Sequence, residues 1–341
     1  MHTYTLTMTN AASPPRPRIG IAGATGYAGQ ELVRLLARHP ALRLAIATSS
    51  GSGEARRLPA LARLFDDEVR PLDVEALIRA CDVVCLALPE KAAATIGARL
   101  MAAGTRVIDL SGAFRLRDDG ARARWYPETG SIPDGTVYGL PERNRTSIAS
   151  ATLVSCPGCY PTAALLALAP LVAAGMLAGH VIIDAKSGVS GAGKAPSERT
   201  HFSENHGSAA AYGVFTHRHT VEMEQELGLP VTFVPHLVPL NRGILETIYT
   251  TLTPGLGASD VAGVFEAAYA DCPFVRLRGE DLPEIKHVAH TPFCDIGWRV
   301  DEPSGRIVLV SCLDNLLKGA ASQAVQCLNL MCGIDQAAGL L

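Results

Sequence analysis

Residues Ser155 to Thr162 read SCPGCYPT, two cysteines separated by two residues. That spacing serves three kinds of chemistry: a dithiol redox pair, half of a zinc site, or a nucleophilic thiol beside a structural one. A redox pair of the thioredoxin type sits early in a compact βαβ unit, whereas this one lies mid-chain. Zinc would join Cys156 and Cys159 to His217 and His219 of HRHT, a ligand set of suitable types. No second C-x-x-C occurs, and H-x-H turns both rings to one side only on a strand, while TVEMEQELG reads as helix. No metal is expected. The third reading rests on local geometry. Pro161 suits the first position of a helix that TAALLALA continues, which sets Cys159 just before the helix N-terminus. There the partial positive charge and unpaired N–H groups favour thiolate, and the same groups could hold an oxyanion on a carbonyl carbon that the sulfur attacks. Cys159 is the nucleophile candidate; Cys156, before Pro157, reads as strand-end packing.

A second group of residues suggests what works beside that thiol. Gly23, Gly26 and Gly29 in GATGYAG form G-x-x-G-x-x-G between a strand at Arg18 to Ala22 and a helix ending near His39. Glycines there let the backbone approach a pyrophosphate, and the helix N-terminus aims N–H groups at it. About 20 residues on, IATSS carries no acid to hold a ribose 2′-hydroxyl. Thr48, Ser49 and Ser50 offer hydroxyls and Arg56 and Arg57 follow, which suits a 2′-phosphate, so NADP is expected over NAD. Arg56 and Arg57 equally suit a solvated surface pair. A thiolate beside a nicotinamide points to acyl reduction: sulfur attacks an activated acyl group, the leaving group departs, and the thioester accepts hydride to become an aldehyde. A histidine titrating near neutrality would shuttle the proton.

The elements that must position these groups follow from pattern and composition. At 341 residues the chain exceeds what one core usually serves, so two domains are expected. Charged residues make up 18%, and a net charge of −3 gives no field for nucleic acid or anionic lipid, leaving a small-molecule substrate as the partner. Nine scattered cysteines, an odd number, fit a reduced, cytoplasmic protein. The start, with neither a basic region nor an apolar run, reads as a flexible tail over residues 1–17. Thr162 to Ile183 is long enough to span a bilayer, but Pro170, Gly175 and Gly179-His180 interrupt it, so it reads as a buried helix feeding a strand. Strands LRLAIATSS, CDVVCLALP and TRVIDLS alternate with helices such as Glu90 to Ala103, which implies a parallel sheet covered on both faces. Beyond Cys156 the strands HVIIDAKSG, VTFVPHLVPL, ILETIYTTL and GRIVLVSCLD have fewer helices between them, so mixed pairing is expected. The final helix takes Asp314 as N-cap and Gly333 as stop.

From about Ile19 to Gly333 the chain resembles the N-acetyl-γ-glutamyl-phosphate reductase family. The resemblance rests on GATGYAGQELVRLL, DLSGAFRL, YGLPE, PGCYPTA, KSGVSGAGK, YGVFTHRH, EQEL, PLNRGIL, CDIG and DNLLKGAASQAVQ, all in family order. It implies an α/β architecture: a Rossmann domain over 18–158, an inserted α+β catalytic and oligomerisation domain with a mixed sheet over 159–313, and a last helix, 314–341, returning to the first. It implies reduction of N-acetyl-L-glutamyl 5-phosphate by NADPH through a Cys159 thioester. His219, favoured slightly over His217, would be the acid/base. Ser111, Arg115 and Ser187 would contact substrate. Gly23, Thr25, Gly26, Tyr27, Gly29, Thr48, Ser49, Ser50, Pro89, Ser190, Gly191 and Asn315 would hold the cofactor. Arg115 also reads as a surface ion pair and Asn315 as a helix cap. The resemblance further implies a homodimer or homotetramer. The family usually has Asn where this chain has Cys156, which raises a Cys156–Cys159 disulfide as an oxidative off-switch. The rivals are an aminoadipyl-phosphate reductase of lysine biosynthesis, one methylene longer in its substrate, aspartate semialdehyde dehydrogenase, and a non-catalytic dinucleotide-binding sensor.

Overall fold

The computed structural model describes residues 16–50 and 53–341, so residues 1–15 of the expected tail lie outside the described residues. The first half of the chain runs β1 (Arg18–Ala22), α1 (Tyr27–Leu36), β2 (Arg43–Thr48), α2 (Val74–Ala80), β3 (Val83–Leu86), α3 (Glu90–Ala102), β4 (Arg106–Asp109), α4 (Asp119–Trp125), β5 (Thr136–Tyr138), α5 (Pro141–Ser150) and β6 (Leu153–Ser155). Its strands form one sheet in the order β2-β1-β3-β4-β6-β5, parallel throughout. The uninterrupted apolar run VVCL of β3 is buried at every residue because helices cover both faces. Ile21, Val83 and Ile108 belong to one core, while Val84, Leu86 and Val107 belong to another on the opposite face. The strand order reverses between β1 and β3. In open parallel sheets the ligand crevice lies at the carboxyl ends beside such a reversal, the arrangement of a Rossmann fold.

The second half runs α6 (Cys159–Ala173), β7 (Val181–Gly188), α7 (Phe202–Asn205), β8 (Ala210–Ala211), α8 (Arg218–Leu227), β9 (Val231–Val238), β10 (Ile244–Thr251), α9 (Ala258–Tyr269), β11 (Val275–Gly279), α10 (Ile285–Val288), β12 (Cys294–Asp301) and β13 (Arg306–Leu313). These strands make a mixed sheet, β11-β12-β13-β10-β7-β9-β8. Burial alternates along β9 and β10, as it must when one face meets a core and the other does not. The core face packs on α6, whose Leu165, Leu166 and Leu168 are fully enclosed. On the opposite face Ile182 and Tyr249 stay 39% and 41% exposed. After β13 a π-helical turn (Leu317–Ala321) leads into α11 (Ser322–Met331), whose Ala324, Val325 and Leu328 fill the first sheet's core beside Ile19 and Ile108.

Three local readings change. Helix α6 begins at Cys159, with Gly158 as its N-cap, so Pro161 is the third helical residue. None of the first N–H groups has an intrahelical acceptor, so proline is tolerated throughout that turn. The helix also runs through Pro170. The carbonyl of Leu166, which a residue-170 N–H would have used, instead accepts the Tyr269 hydroxyl. No described helix is long and apolar enough to cross a membrane. The expected terminal helix divides in two: Asp314 Oδ1 accepts from the N–H groups of Leu316 and Leu317, the π turn follows, and α11 starts only at Ser322. Gly333, at φ +67°, lies just past its end. Strands β11 and β12, which sequence periodicity missed, extend the second sheet beyond β13.

Candidate active site

A cleft of about 760 Å³ opens at the carboxyl ends of the first sheet's strands, walled on its far side by loops of the second sheet. Of the residues singled out from sequence, Gly26, Tyr27, Gly29, Ser111, Arg115, Cys159, Ser187, Ser190, Gly191, His217, His219 and Asn315 line it. Gly23, Thr25, Thr48, Ser49, Ser50 and Pro89 stand behind or beside that wall.

On the first-domain side the turn between β1 and α1 is shaped by close backbone approach. Gly23 has φ +93°, and a Cβ there would lie 2.1 Å from the carbonyl oxygen of Ala87. A Cβ on Gly29 would lie 2.1 Å from Gly23 O. These two glycines let the turn fold tightly, whereas a Cβ on Gly26 meets nothing closer than 3.6 Å and would project into space. No side chain caps α1, so its first N–H groups are left to the cleft. Thr48 fixes the turn: its carbonyl accepts from the N–H groups of Gly23 and Ala24, and its hydroxyl donates to Ile21 O at 3.1 Å. Thr48 is 1% exposed, and its hydroxyl is turned inward. Ser49 N–H donates to Arg70 O, Ser50 is exposed, and Pro89 is the N-cap of α3.

The turn between β6 and α6 carries the cysteines, and they part ways there. The Cys156 thiol sits in the first sheet's core against Cys327, while Cys159 packs against the second core. All nine cysteines are free thiols. The two side chains diverge, so they neither close a disulfide across the turn nor converge on one ion with the histidines. Cys159 is half-buried at the first position of α6. The neighbouring Tyr160 N–H bonds toward its sulfur and favours thiolate, yet burial outweighs this and pushes the thiol up to about 11. Burial thus opposes the thiolate that the helix N-terminus favours. The π turn makes room for this residue: a Cβ on Gly319 would lie 2.8 Å from Cys159 Cβ.

A buried ion pair holds the same turn. Glu222 of α8, fully enclosed, accepts at one oxygen from Gly158 N and Tyr138 Oη, both at 2.8 Å, and pairs its other oxygen with Arg115 Nη1 at 3.3 Å. Arg115 also donates through Nε to Cys156 O at 2.8 Å and through Nη2 to Leu110 O at 2.9 Å. It is thus a buried strut rather than a surface ion pair, with one edge on the cleft. The carboxylate of Glu222 favours the charged guanidinium, raising Arg115 above its ordinary value despite the cost of burial. Asn315 is no helix cap. Its Oδ1 accepts from Gly243 N at 2.8 Å and its Nδ2 donates to Ser190 Oγ at 3.0 Å. The Ser111 hydroxyl donates to Asp109 at 2.8 Å, and that of Ser187 to Gly188 O at 3.0 Å.

The two histidines face one another. His217 is the N-cap of α8, in extended conformation, and its Nδ1 accepts from His219 N at 3.1 Å. Because residue 217 lies outside the helix, H-x-H here does bring both rings to one side, with centroids 4.7 Å apart. His219 lies against Gly158, the residue before Cys159: a Cβ on Gly158 would sit 2.4 Å from its Nε2. Burial, then repulsion by His217 and Arg115, holds His219 well below the ordinary histidine value. Burial and Arg218 lower His217 to about 4. Sequence reasoning did not single out Glu222, Tyr138 or the Tyr160–Tyr212 pair (Oη to Oη 3.2 Å). The spacing His219–Glu222 (i, i+3) on one helix was the available signal for Glu222.

Comparison with known proteins gives a consistent set of relatives. Residues 18–151 match the family model "Semialdehyde dehydrogenase, NAD binding domain", and 159–315 match "Semialdehyde dehydrogenase, dimerisation domain". The chain is 47% identical over 339 residues to N-acetyl-gamma-glutamyl-phosphate reductase of Symbiobacterium thermophilum, covering 95% of this chain and 97% of that one. It is 44% identical over 337 residues to the protein of that name in Bacillus subtilis, covering 95% and 98%. Among solved structures, aspartate semialdehyde dehydrogenase II of Vibrio cholerae superposes with a TM-score of 0.72 at 20% identity, over 94% of this chain and 99% of that one. The Candida albicans aspartate semialdehyde dehydrogenase with NADP gives 0.67 at 17%, over 93% and 100%.

Proposed function

From membership of the N-acetyl-gamma-glutamyl-phosphate reductase family, to which this chain belongs, we propose that it reduces N-acetyl-L-glutamyl 5-phosphate with NADPH. The products are N-acetyl-L-glutamate 5-semialdehyde and phosphate, in arginine biosynthesis. The carrying observation is Cys159 at the first position of α6, with the His219 ring against the preceding residue, in the cleft that the glycine turn also faces.

In this reading Cys159 rests as a thiol and His219 as a neutral imidazole, both states favoured by burial. The thiol proton passes to His219 as sulfur attacks the acyl carbon. The bond to the phosphate oxygen breaks, phosphate leaves with the electron pair and with the proton held by His219, and a thioester stays on Cys159. The uncapped start of α1 and the bare Gly26 fit a dinucleotide, with Ser190, Gly191 and Asn315 closing the other side. Bound there, the cofactor supplies the hydride that takes a thioester to an aldehyde. Cys159 then departs as thiolate, and a solvent proton restores the thiol. Arg115, Ser111 and Ser187 border the space for the substrate.

The reading also assigns 18–158 to dinucleotide binding, 159–313 to catalysis and oligomerisation, and 314–341 to a segment returning to the first domain. The packing of α11 on β1 and β4 residues supports the last of these. A homodimer or homotetramer through the uncovered face of the second sheet, where Ile182 and Tyr249 lie, fits the same scheme. A cytoplasmic setting fits nine free thiols.

Two measurements test this function. Purified protein with NADP, phosphate and each semialdehyde should oxidise the glutamate compound faster than its aminoadipate homologue; the opposite preference would move the assignment to the longer substrate. Cys159→Ser should lower turnover by at least about 10⁴-fold while cofactor binding persists. An active serine variant would refute the thioester route.

A further inference from the structure

We propose that Lys318 is a positioning residue for Cys159: its buried ion pair with Glu142 fixes the register of the π turn against which Cys159 rests. The inference rests on the thiol reading above and deepens it, naming a support for Cys159 besides the Glu222 clamp. Two bonds of i to i−5 type define the turn, from Gly319 N to Asp314 O and from Ala321 N to Leu316 O, both 2.9 Å. Such turns are rare inside helices and occur often at functional sites. Here the turn touches the thiol-bearing residue: a Cβ on Gly319 would lie 2.8 Å from Cys159 Cβ and 3.3 Å from Asp314 O. A residue without a side chain fits that place. A slip of one residue would rotate the backbone by about 100° and bring Lys318 or Ala320 to it instead.

Lys318, one residue before Gly319, is fully buried, and so is the Glu142 side chain. Lysine is almost never enclosed unless paired, and this one is held three ways. Its Nζ donates to Glu142 Oε1 at 2.7 Å and to Gln326 Oε1 at 2.8 Å, and stands 5.7 Å from the Phe274 ring centroid. Gln326 Nε2 donates in turn to Glu142 Oε1 at 3.2 Å, which closes a ring of three polar groups. Glu142 lies in the first turn of α5, Gln326 on α11 and Phe274 just before β11, so three separate elements meet the turn at one ammonium. A second strut reaches the same end of α6. Gln323 Nε2 donates to Thr162 Oγ1 at 3.0 Å, and the Thr162 hydroxyl donates to Gly158 O at 2.9 Å.

A buried ion pair stabilises a fold little more than apolar residues of the same volume would, yet it accepts far fewer arrangements. Among the described residues Glu142 Oε2 has no hydrogen-bond partner, so this carboxylate depends on the contacts of its other oxygen. Withdrawing the ammonium would leave a buried carboxylate and the Gln326 amide short of a donor, and the turn therefore keeps its register while the pair stands. In that register the bare Cα of Gly319 backs Cys159 and holds its side chain at the cleft.

The test compares full-length wild type with Glu142→Gln, the double variant Glu142→Leu/Lys318→Met, and Gly319→Ala. Each is read by a denaturant melt, kcat, NADPH titration and the pH dependence of iodoacetamide alkylation at Cys159, located by peptide mass. Glu142→Gln strips the charge but leaves an acceptor for Nζ, so its melt should move to lower denaturant while kcat stays within about tenfold of wild type. The double variant exchanges the pair for apolar groups, so it should melt near wild type while kcat falls about 30-fold or more and NADPH affinity holds within about threefold. In it Cys159, released from Gly319, should alkylate about tenfold faster near neutrality, its profile displaced below the wild-type rise toward about 11. A pair that serves stability alone makes turnover follow the melt in both variants. That outcome overturns the proposal, as does a double variant with wild-type kcat and alkylation. Gly319→Ala presses a methyl group on Cys159 without touching the pair; it should lower kcat and spare NADPH binding, and an unchanged kcat there overturns the proposal even where the double variant fails to fold. Alkylation needs no substrate, so it decides for or against Lys318 even if the wild type proves inactive on the acyl phosphate, which would overturn only the proposed function.

Discussion

Two strand–turn–helix junctions meet at the cleft, and their backbones agree up to the last residue before the helix. Gly26 has φ −70°, ψ 170° and Gly158 has φ −64°, ψ 158°, and neither helix is capped by a side chain of its N-cap residue. The junctions differ in what meets the first turn. At β1–α1 glycines form the wall, and the Lys194 ammonium reaches the turn at Thr25 O. At β6–α6 an internal carboxylate takes the Gly158 N–H, and a thiol occupies the first helical position. One backbone device thus serves two ends: left bare it is suited to a ligand's negative charge, and clamped by Glu222 it fixes the residue before Cys159, the proposed nucleophile.

The largest break in this contrast should come from Glu222→Ala. Removing one partner of a buried ion pair leaves Arg115 uncompensated and frees Gly158 N and Tyr138 Oη, so unfolding stability should fall by about 3–5 kcal/mol. Turnover should fall at least about 100-fold, because the residue before the nucleophile loses its anchor. Cofactor affinity, which the proposed function assigns to the other junction, should stay within about threefold, since distant sites with no shared partner act independently. Denaturant melts and NADPH titration read the two effects separately. Equal damage to both would mean that the junctions are not independent.

The same contrast explains what was legible in the sequence. The glycine turn is largely local: strand, three glycines and helix lie within 19 residues of one another, and Gly26 and Gly29 answer to Gly23 and Ala24, although Gly23 itself answers to Ala87 beyond β3. The alternation of strands with helices likewise exposed the parallel sheet. The clamp is not local. Arg115 and Glu222 are 107 residues apart, and Glu222 and Gly158 are 64 apart. No periodicity encodes such pairs; a glutamate on a helix reads as solvated until tertiary packing buries it. The burial of the Cys159 thiol was hidden for a related reason. The helix N-terminus could be read from the sequence, but the density of packing that outweighs it could not.

At the first junction, Gly23→Ala should cost about 2–4 kcal/mol, since it adds a Cβ at positive φ and 2.1 Å from Ala87 O. Gly26→Ala has room and should change stability by less than about 1 kcal/mol. Its methyl group projects where a pyrophosphate must approach, so NADPH binding should weaken instead. Thermal melts paired with cofactor titration separate the two glycines. A Gly26→Ala variant that melts early yet binds normally would reverse their roles.

The smallest effect belongs to the second junction and appears only in acid. The folded-state value of His217 is lowered to about 4, first by burial and then by Arg218. The unfolded chain, with an ordinary histidine near 6.5, takes up the proton first. Stability is therefore fully present above about pH 6.5 and is lost as pH falls toward 4. Partial exposure to solvent screens the shift, so the loss from this one residue should be about 1 kcal/mol. His217→Asn keeps a side-chain acceptor at the N-cap of α8 and removes the titration. Its melting temperature should fall less than that of wild type between pH 6.5 and pH 4.5, and parallel curves would show that His217 takes no part in the acid sensitivity of this turn.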